Sequence, residues 1–177
     1  MRRFEIPFRP RADIASAFKG DRVMSREYEK RLQILRSSID GAAGGPFSIE
    51  PQLSDLRRSG QGQPNLAKDL LLSLSDGAHS GAMYALVHAA EGLQEDAYTA
   101  TVLSVLPELV GSSPNWGLEL LRRIMNGDAT FRELITQVEA APAPIKEAVR
   151  IISTSNDAIS SDYIPVEAKA RLALAAS

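Results

Sequence analysis

From Asn65 to the C-terminus the apolar residues recur at helical spacing, yet a turn or a breaker cuts each run short within about four turns. Leu66, Leu70, Leu71 and Leu74 share one face of a first segment, capped by Asn65 and ended at Asp76-Gly77. A second opens at Ser80, turns Met83, Leu86, Val87 and Ala90 inward, and stops at Gly92. A third runs from about Glu95 to Val110, with Tyr98, Val102, Val105 or Leu106, and Leu109 inward; Pro107 inside it predicts a kink or a split. Pro114 to Met125 is the fourth, and Thr130 to Ala140, with Phe131, Leu134, Ile135 and Val138 inward, the fifth. Pro142 and Pro144 separate it from Ile145 to Thr154, and Pro165 starts a last segment through Leu172 and Leu174. Helices this short take their stability from packing, and short connections favour antiparallel neighbours. The expected fold is all-α: short antiparallel helical hairpins stacked as a HEAT-like or α-solenoid array, with an irregular helical bundle as the alternative. No fixed period survives counting, so any repeat is structural rather than sequential.

Residues 1–64 read differently. Phe4, Ile6 and Phe8 alternate, but Pro7 and Pro10 argue against a central strand, which leaves an extended arm. Ser25 caps a charged helix to about Ser38, with Tyr28, Leu32, Leu35 and Ile39 on one stripe. Gly41-Ala42-Ala43-Gly44-Gly45-Pro46 is a break, and Pro51 to Arg58 carries a weak helical pattern. The run Gly60 to Pro64 marks the internal boundary: an N-terminal arm and charged helix, 1–64, packing on a helical domain, 65–177. A 44% hydrophobic content is enough for a full core, and 6% aromatic residues suit helices better than a β-sandwich. The absence of cysteine excludes a disulfide scaffold, a zinc ribbon and a thiol nucleophile, and fits a cytoplasmic protein. No apolar run follows the charged first residues as in a signal peptide, and none approaches the roughly 20 residues of a membrane span.

Charge is distributed unevenly. Residues 1–36 carry ten Lys and Arg against five Asp and Glu; the remainder carries ten against seventeen. Between Lys68 and Arg122 there is no basic residue, while Asp69, Asp76, Glu91, Glu95, Asp96, Glu108 and Glu119 fall in that window. Such a surface repels nucleic acid and steers a cationic protein toward it, or simply keeps the chain soluble.

Ser113 to Asp128 reads as one complete helix. Ser113 is placed to cap it, Pro114 sits where a missing N–H costs nothing, Asn126-Gly127 supplies a left-handed stop, and Asp128 caps the next helix. Trp116, Leu120 and Ile124, with Leu121 beside them, form a core stripe. Asn115, Glu119, Arg122 and Asn126 form the opposite polar line, where Glu119 can pair with Arg122 or Arg123. Gly117 within this helix costs about 1 kcal/mol relative to alanine and marks a close helix crossing. Upstream, Tyr84, His88 and Glu91 lie at i, i+4 and i+7, so His88 and Glu91 can bond over one turn. One such pair is too few ligands for a metal, and no metal or cofactor is expected. The turn Glu91, Glu95, Asp96 either complements a helix N-terminus or, with Glu119, engages the lysines and arginines of a partner. Neither a phosphate-binding glycine loop nor a Gly-x-Ser-x-Gly elbow is present, so no enzyme is expected.

His88-x-x-Glu91, the Val105-Leu106-Pro107-Glu108-Leu109 run, Pro114-x-Trp116, and Leu120-Leu121-x-Arg123-Ile124-x-Asn126 together resemble the signature of the immunity protein 30 family over roughly Asn65 to Leu172. The resemblance gives His88, Trp116, Arg123 and Asn126 the place of structural motif residues. It implies a non-enzymatic bacterial antidote of polymorphic and contact-dependent growth inhibition toxins. Such a protein binds one cognate toxin C-terminal domain in the cytoplasm and covers its active site or substrate surface. A nuclease with a basic groove is the expected toxin, bound through Glu91, Glu95, Asp96 and Glu119, with no nucleic-acid or membrane partner. A helical-repeat scaffold or adaptor without a toxin partner is the alternative.

Overall fold

The computed structural model describes residues 26–40, 49–61, 63–93, 97–154 and 165–177. The arm expected before Arg22, the Ser25 cap, the glycine-rich break, and the carboxylates of Glu95 and Asp96 lie outside the described residues. Among the described residues there are nine helices and no strand, so the protein is all-α. They are α1 (Arg26–Asp40), α2 (Glu50–Ser59), α3 (Leu66–Leu71), α4 (Ser80–Glu91), α5 (Tyr98–Ser112), α6 (Pro114–Met125), α7 (Asp128–Glu139), α8 (Ala143–Thr154) and α9 (Val166–Ala175).

The apolar stripes are what hold these short elements. Tyr28, Leu32, Leu35 and Ile39 of α1 are all buried, as are Met83, Leu86, Val87 and Ala90 of α4. Both Val105 and Leu106 of α5 turn inward. The buried residues form one continuous cluster from Tyr28 to Ala176. α1 packs on α2, and α3 on both α4 and α5. α5 lies in the middle, against α3, α6, α7 and α8, and α9 closes on α7 and α8. Principal packing partners are thus never more than three elements apart in the chain.

Contacts also cross the glycine-rich boundary before Pro64. The Tyr28 hydroxyl donates to Asp69 Oδ2 of α3 at 3.0 Å, deep in the interior, and Arg36 Nε donates to Ser73 Oγ at 3.1 Å. Gly60 permits the approach of α1. A Cβ there would stand 2.9 Å from Cε2 of the Tyr28 ring and 2.9 Å from the Leu56 carbonyl oxygen.

Several helix ends differ from the sequence reading. Asn65 makes no capping bond through its side chain, and α4 is capped by His79, whose Nδ1 accepts from Gly81 N–H at 3.1 Å. Of the two outcomes expected at Pro107, a split does not occur: α5 runs through it from Tyr98 to Ser112, with apolar residues held in the core on both sides. The stop after α6 is not left-handed: Asn126 has φ −67° and Gly127 φ −111°, and Gly127 rather than Asp128 stands at the N-cap of α7. Asn126 N–H bonds the Arg123 carbonyl at 3.3 Å, a tightened last turn that meets an orphan carbonyl without a positive φ.

Candidate functional site

The start of α6 is built from outside the helix. Ser113 was the expected cap, but its hydroxyl is turned to the Leu74 carbonyl, to which it donates at 2.9 Å, and makes no capping bond to α6. Asp76, 39 residues away from Asn115 in sequence, takes that part: Oδ2 accepts from Asn115 N–H at 3.2 Å and Oδ1 from Trp116 N–H at 3.3 Å. The Trp116 indole N–H donates to the Ser75 carbonyl at 3.2 Å. Three consecutive residues, Leu74, Ser75 and Asp76, thereby grip the first turn of α6 and set its rotation. Trp116, Leu120, Leu121 and Ile124 are all buried.

That rotation turns the polar line of α6 toward α4. The Tyr84 ring meets the Trp116 ring edge-on, with centroids 5.2 Å apart, and its hydroxyl donates to Glu119 Oε1 at 3.3 Å. Arg122 holds Glu119 with two bonds of 2.6 and 2.7 Å. At the far end, Arg123 reaches across to the last residue of α4 and holds Glu91 with two bonds of 2.8 and 2.9 Å. His88 Nδ1 lies 3.1 Å from Glu91 Oε2, the one-turn pair read from the sequence, on an exposed side chain. The bidentate bond from Arg123 and its proximity to the Glu91 charge hold the guanidinium even more firmly protonated than usual. Tyr84, His88, Glu91, Trp116, Glu119, Arg122 and Arg123 thus form one seam between α4 and α6. Asn126 ends α6 as an exposed residue.

The seam changes the meaning of the charge gap. Of the acidic residues between Lys68 and Arg122, Asp69 is buried against Tyr28, Asp76 caps α6, and Glu91 and Glu119 are paired with the two arginines that end the gap. Glu108 is exposed on α5. Glu91 and Glu119, expected to face a partner, are therefore also internal fasteners, each still partly exposed.

Beside the seam, where α4, α5, α6 and α7 meet, is a cavity of about 200 Å³ lined by Glu91, Tyr98, Thr99, Arg123, Thr130 and Glu133 among others. The Tyr98 hydroxyl is buried there and, among the described residues, has no hydrogen-bond partner. Burial, and then the Glu91 charge, push its ionisation well above the usual phenol range. Sequence spacing marked Tyr98 only as an inward residue of α5; nothing local reveals that its hydroxyl ends unpaired. The capping role of Asp76, read from the sequence only as a helix stop and an acidic residue, escaped for the same reason, since its partners are distant in the chain. Among the described residues no three His, Cys, Asp or Glu side chains converge as metal ligands, and no helix is long and apolar enough to cross a membrane.

Fold and seam define an all-α protein whose functional-candidate residues are charge pairs binding one helix to another. Residues 48–134, about half of the chain, match the family model described as Immunity protein 30. The chain belongs to the immunity protein 30 family. The matched stretch contains α2 to α6 and the first part of α7, hence the whole seam and the cavity beside it. No curated protein and no solved structure matches the chain.

Proposed function

We propose that this protein binds a cognate toxin domain in the cytoplasm and neutralises it without turnover, by covering the toxin's active site or substrate surface. The family match over residues 48–134 carries this reading. The toxin's class is inferred from charge. A chain with ten basic against seventeen acidic residues after Arg36 attracts a basic surface, and the groove of a nuclease is one. Because Glu91 and Glu119 are already paired with Arg123 and Arg122, long-range attraction from this window is assigned to the exposed Glu108 and to Glu95 and Asp96, which lie outside the described residues. Glu91 and Glu119 contribute by holding α4 and α6 in one rigid face.

The test is co-expression with the C-terminal toxin domain of any large exported protein encoded beside this gene. Growth arrest relieved by this chain, with a stable complex on purification, is the expected result. Arrest without relief, or the absence of a complex, would overturn the reading and favour a helical adaptor. For the nuclease assignment, the triple variant Glu95→Gln, Asp96→Asn, Glu108→Gln should bind the toxin more weakly and with a shallower salt dependence. An unchanged affinity and salt slope would exclude a basic groove as the target.

A further inference from the structure

We infer that the cavity between α4, α5, α6 and α7 is a socket for one lysine side chain of the toxin. This rests on the antidote reading above and adds to it a place and a chemistry. The cavity is rich in acceptors and its cation is already engaged. Arg123 faces Glu91 with Nε and Nη2, which donate to its two carboxylate oxygens. The single Thr130 hydroxyl hydrogen lies between the Ile124 carbonyl at 2.5 Å and the Gly127 carbonyl at 2.9 Å, so the group turns lone pairs toward a guest. Glu133 Oε1 accepts from Gln137 Nε2 at 2.7 Å, and among the described residues Oε2 has no hydrogen-bond or ion-pair partner. The Tyr98 hydroxyl is buried and, among the described residues, unpaired.

The lining carries two carboxylates, Glu91 and Glu133, against one guanidinium. The partial positive charge at the starts of α5 and α7 is spread over their first turns and is smaller than a whole carboxylate. A carboxylate guest would meet like charge. An apolar guest would leave the Tyr98 hydroxyl buried and unsatisfied. An ammonium, with three donors, no acceptor and a slim flexible stem, can donate to the lone pairs of Tyr98 and Thr130 and to the Glu133 carboxylate. A volume of about 200 Å³ admits the end of one such side chain.

Two measurements on the full chain test this. Calorimetry with the toxin domain should show that Tyr98→Phe and Glu133→Gln each weaken binding at least tenfold while the free variants melt at or above the wild-type temperature. Binding within twofold of wild type by both variants would overturn the socket and leave a cavity that holds only water, with the antidote reading intact. If the wild-type chain fails to bind the toxin domain, the antidote reading falls and the second measurement decides the cavity alone. In that measurement n-butylammonium is titrated into the free protein and followed through the Tyr98 ring resonances. A saturable shift absent with n-butyrate, and lost in Glu133→Gln, supports a cation socket; no saturable shift overturns it.

Discussion

Asp76 is the residue whose importance is least visible in the chain and plainest in space. It stands in the loop after α3, exposed, and its two carboxylate oxygens accept from the first two N–H groups of α6, of which that of Trp116 is shared with the Ser113 carbonyl. A carboxylate at that position also meets the positive end of the helix dipole. Replacing Asp76 by alanine should lower stability by about 1 kcal/mol, the usual loss when a cap is removed. The urea unfolding midpoint measures it, and Asp76→Asn should retain most of the capping. An Asp76→Ala midpoint equal to wild type would mean that the Ser75–Trp116 bond and core packing hold α6 unaided. Ser113 shows why local rules misplace such a role: its type and position are right for a cap, but the fold brings the Leu74 carbonyl within reach of its hydroxyl first.

At the scale of elements, α6 and α8 cross so closely that only glycine is comfortable at 117. A Cβ on Gly117 would stand 2.9 Å from Cδ1 of Ile152, with Leu106 Cδ2 at 3.6 Å and Leu109 Cβ at 3.7 Å. Alanine would recover about 1 kcal/mol of helix propensity, and the crowded Ile152 methyl opposes that gain. Gly117→Ala should therefore be more favourable by about 1 kcal/mol when Ile152 is changed to valine, which removes that methyl. A double-mutant cycle by chemical denaturation reads this coupling directly. Simple additivity would show that the helices shift apart instead of crowding. The mid-helix glycine was legible in the sequence as a crossing; its partner was not, because Ile152 is remote in the chain and is one of several inward residues of α8.

For the molecule as a whole, two buried or half-buried phenols couple folding to alkaline pH. Burial and then the Glu91 charge raise the Tyr98 ionisation, and burial and then the Glu119 charge raise that of Tyr84, from an ordinary value of 10.0. Below that value both states keep their phenolic protons, and the stability from these groups is fully present. Above it the unfolded chain ionises first, so stability falls as pH rises toward the folded values. Thermal melting should drop from about pH 10 upward, and more gently in Tyr98→Phe. Equal slopes for the two proteins would mean that the Tyr98 hydroxyl reaches water. The same two carboxylates answer to Arg122 and Arg123, so the seam that joins α4 to α6 also sets the field felt by both tyrosines.

Helical periodicity settled that this chain is all-α and which faces are buried, because a 3.6-residue repeat of apolar side chains is a local property that packing only has to accept. The stripes of α1, α3, α4, α6 and α8 are buried as their spacing predicts, and so is that of α5 apart from the half-buried Tyr98. The motif His88-x-x-Glu91 was legible for the same reason, since one turn of helix suffices to join the pair. Which charges are free was not legible. The absence of basic residues from 69 to 121 looks in one dimension like an acidic surface. In three dimensions Arg122 folds back on Glu119, Arg123 reaches Glu91, Asp76 caps a helix and Asp69 is enclosed beside Tyr28. Charge pairing, capping and the fate of one buried hydroxyl depend on distances between segments far apart in the chain, and those distances exist only once the helices have packed.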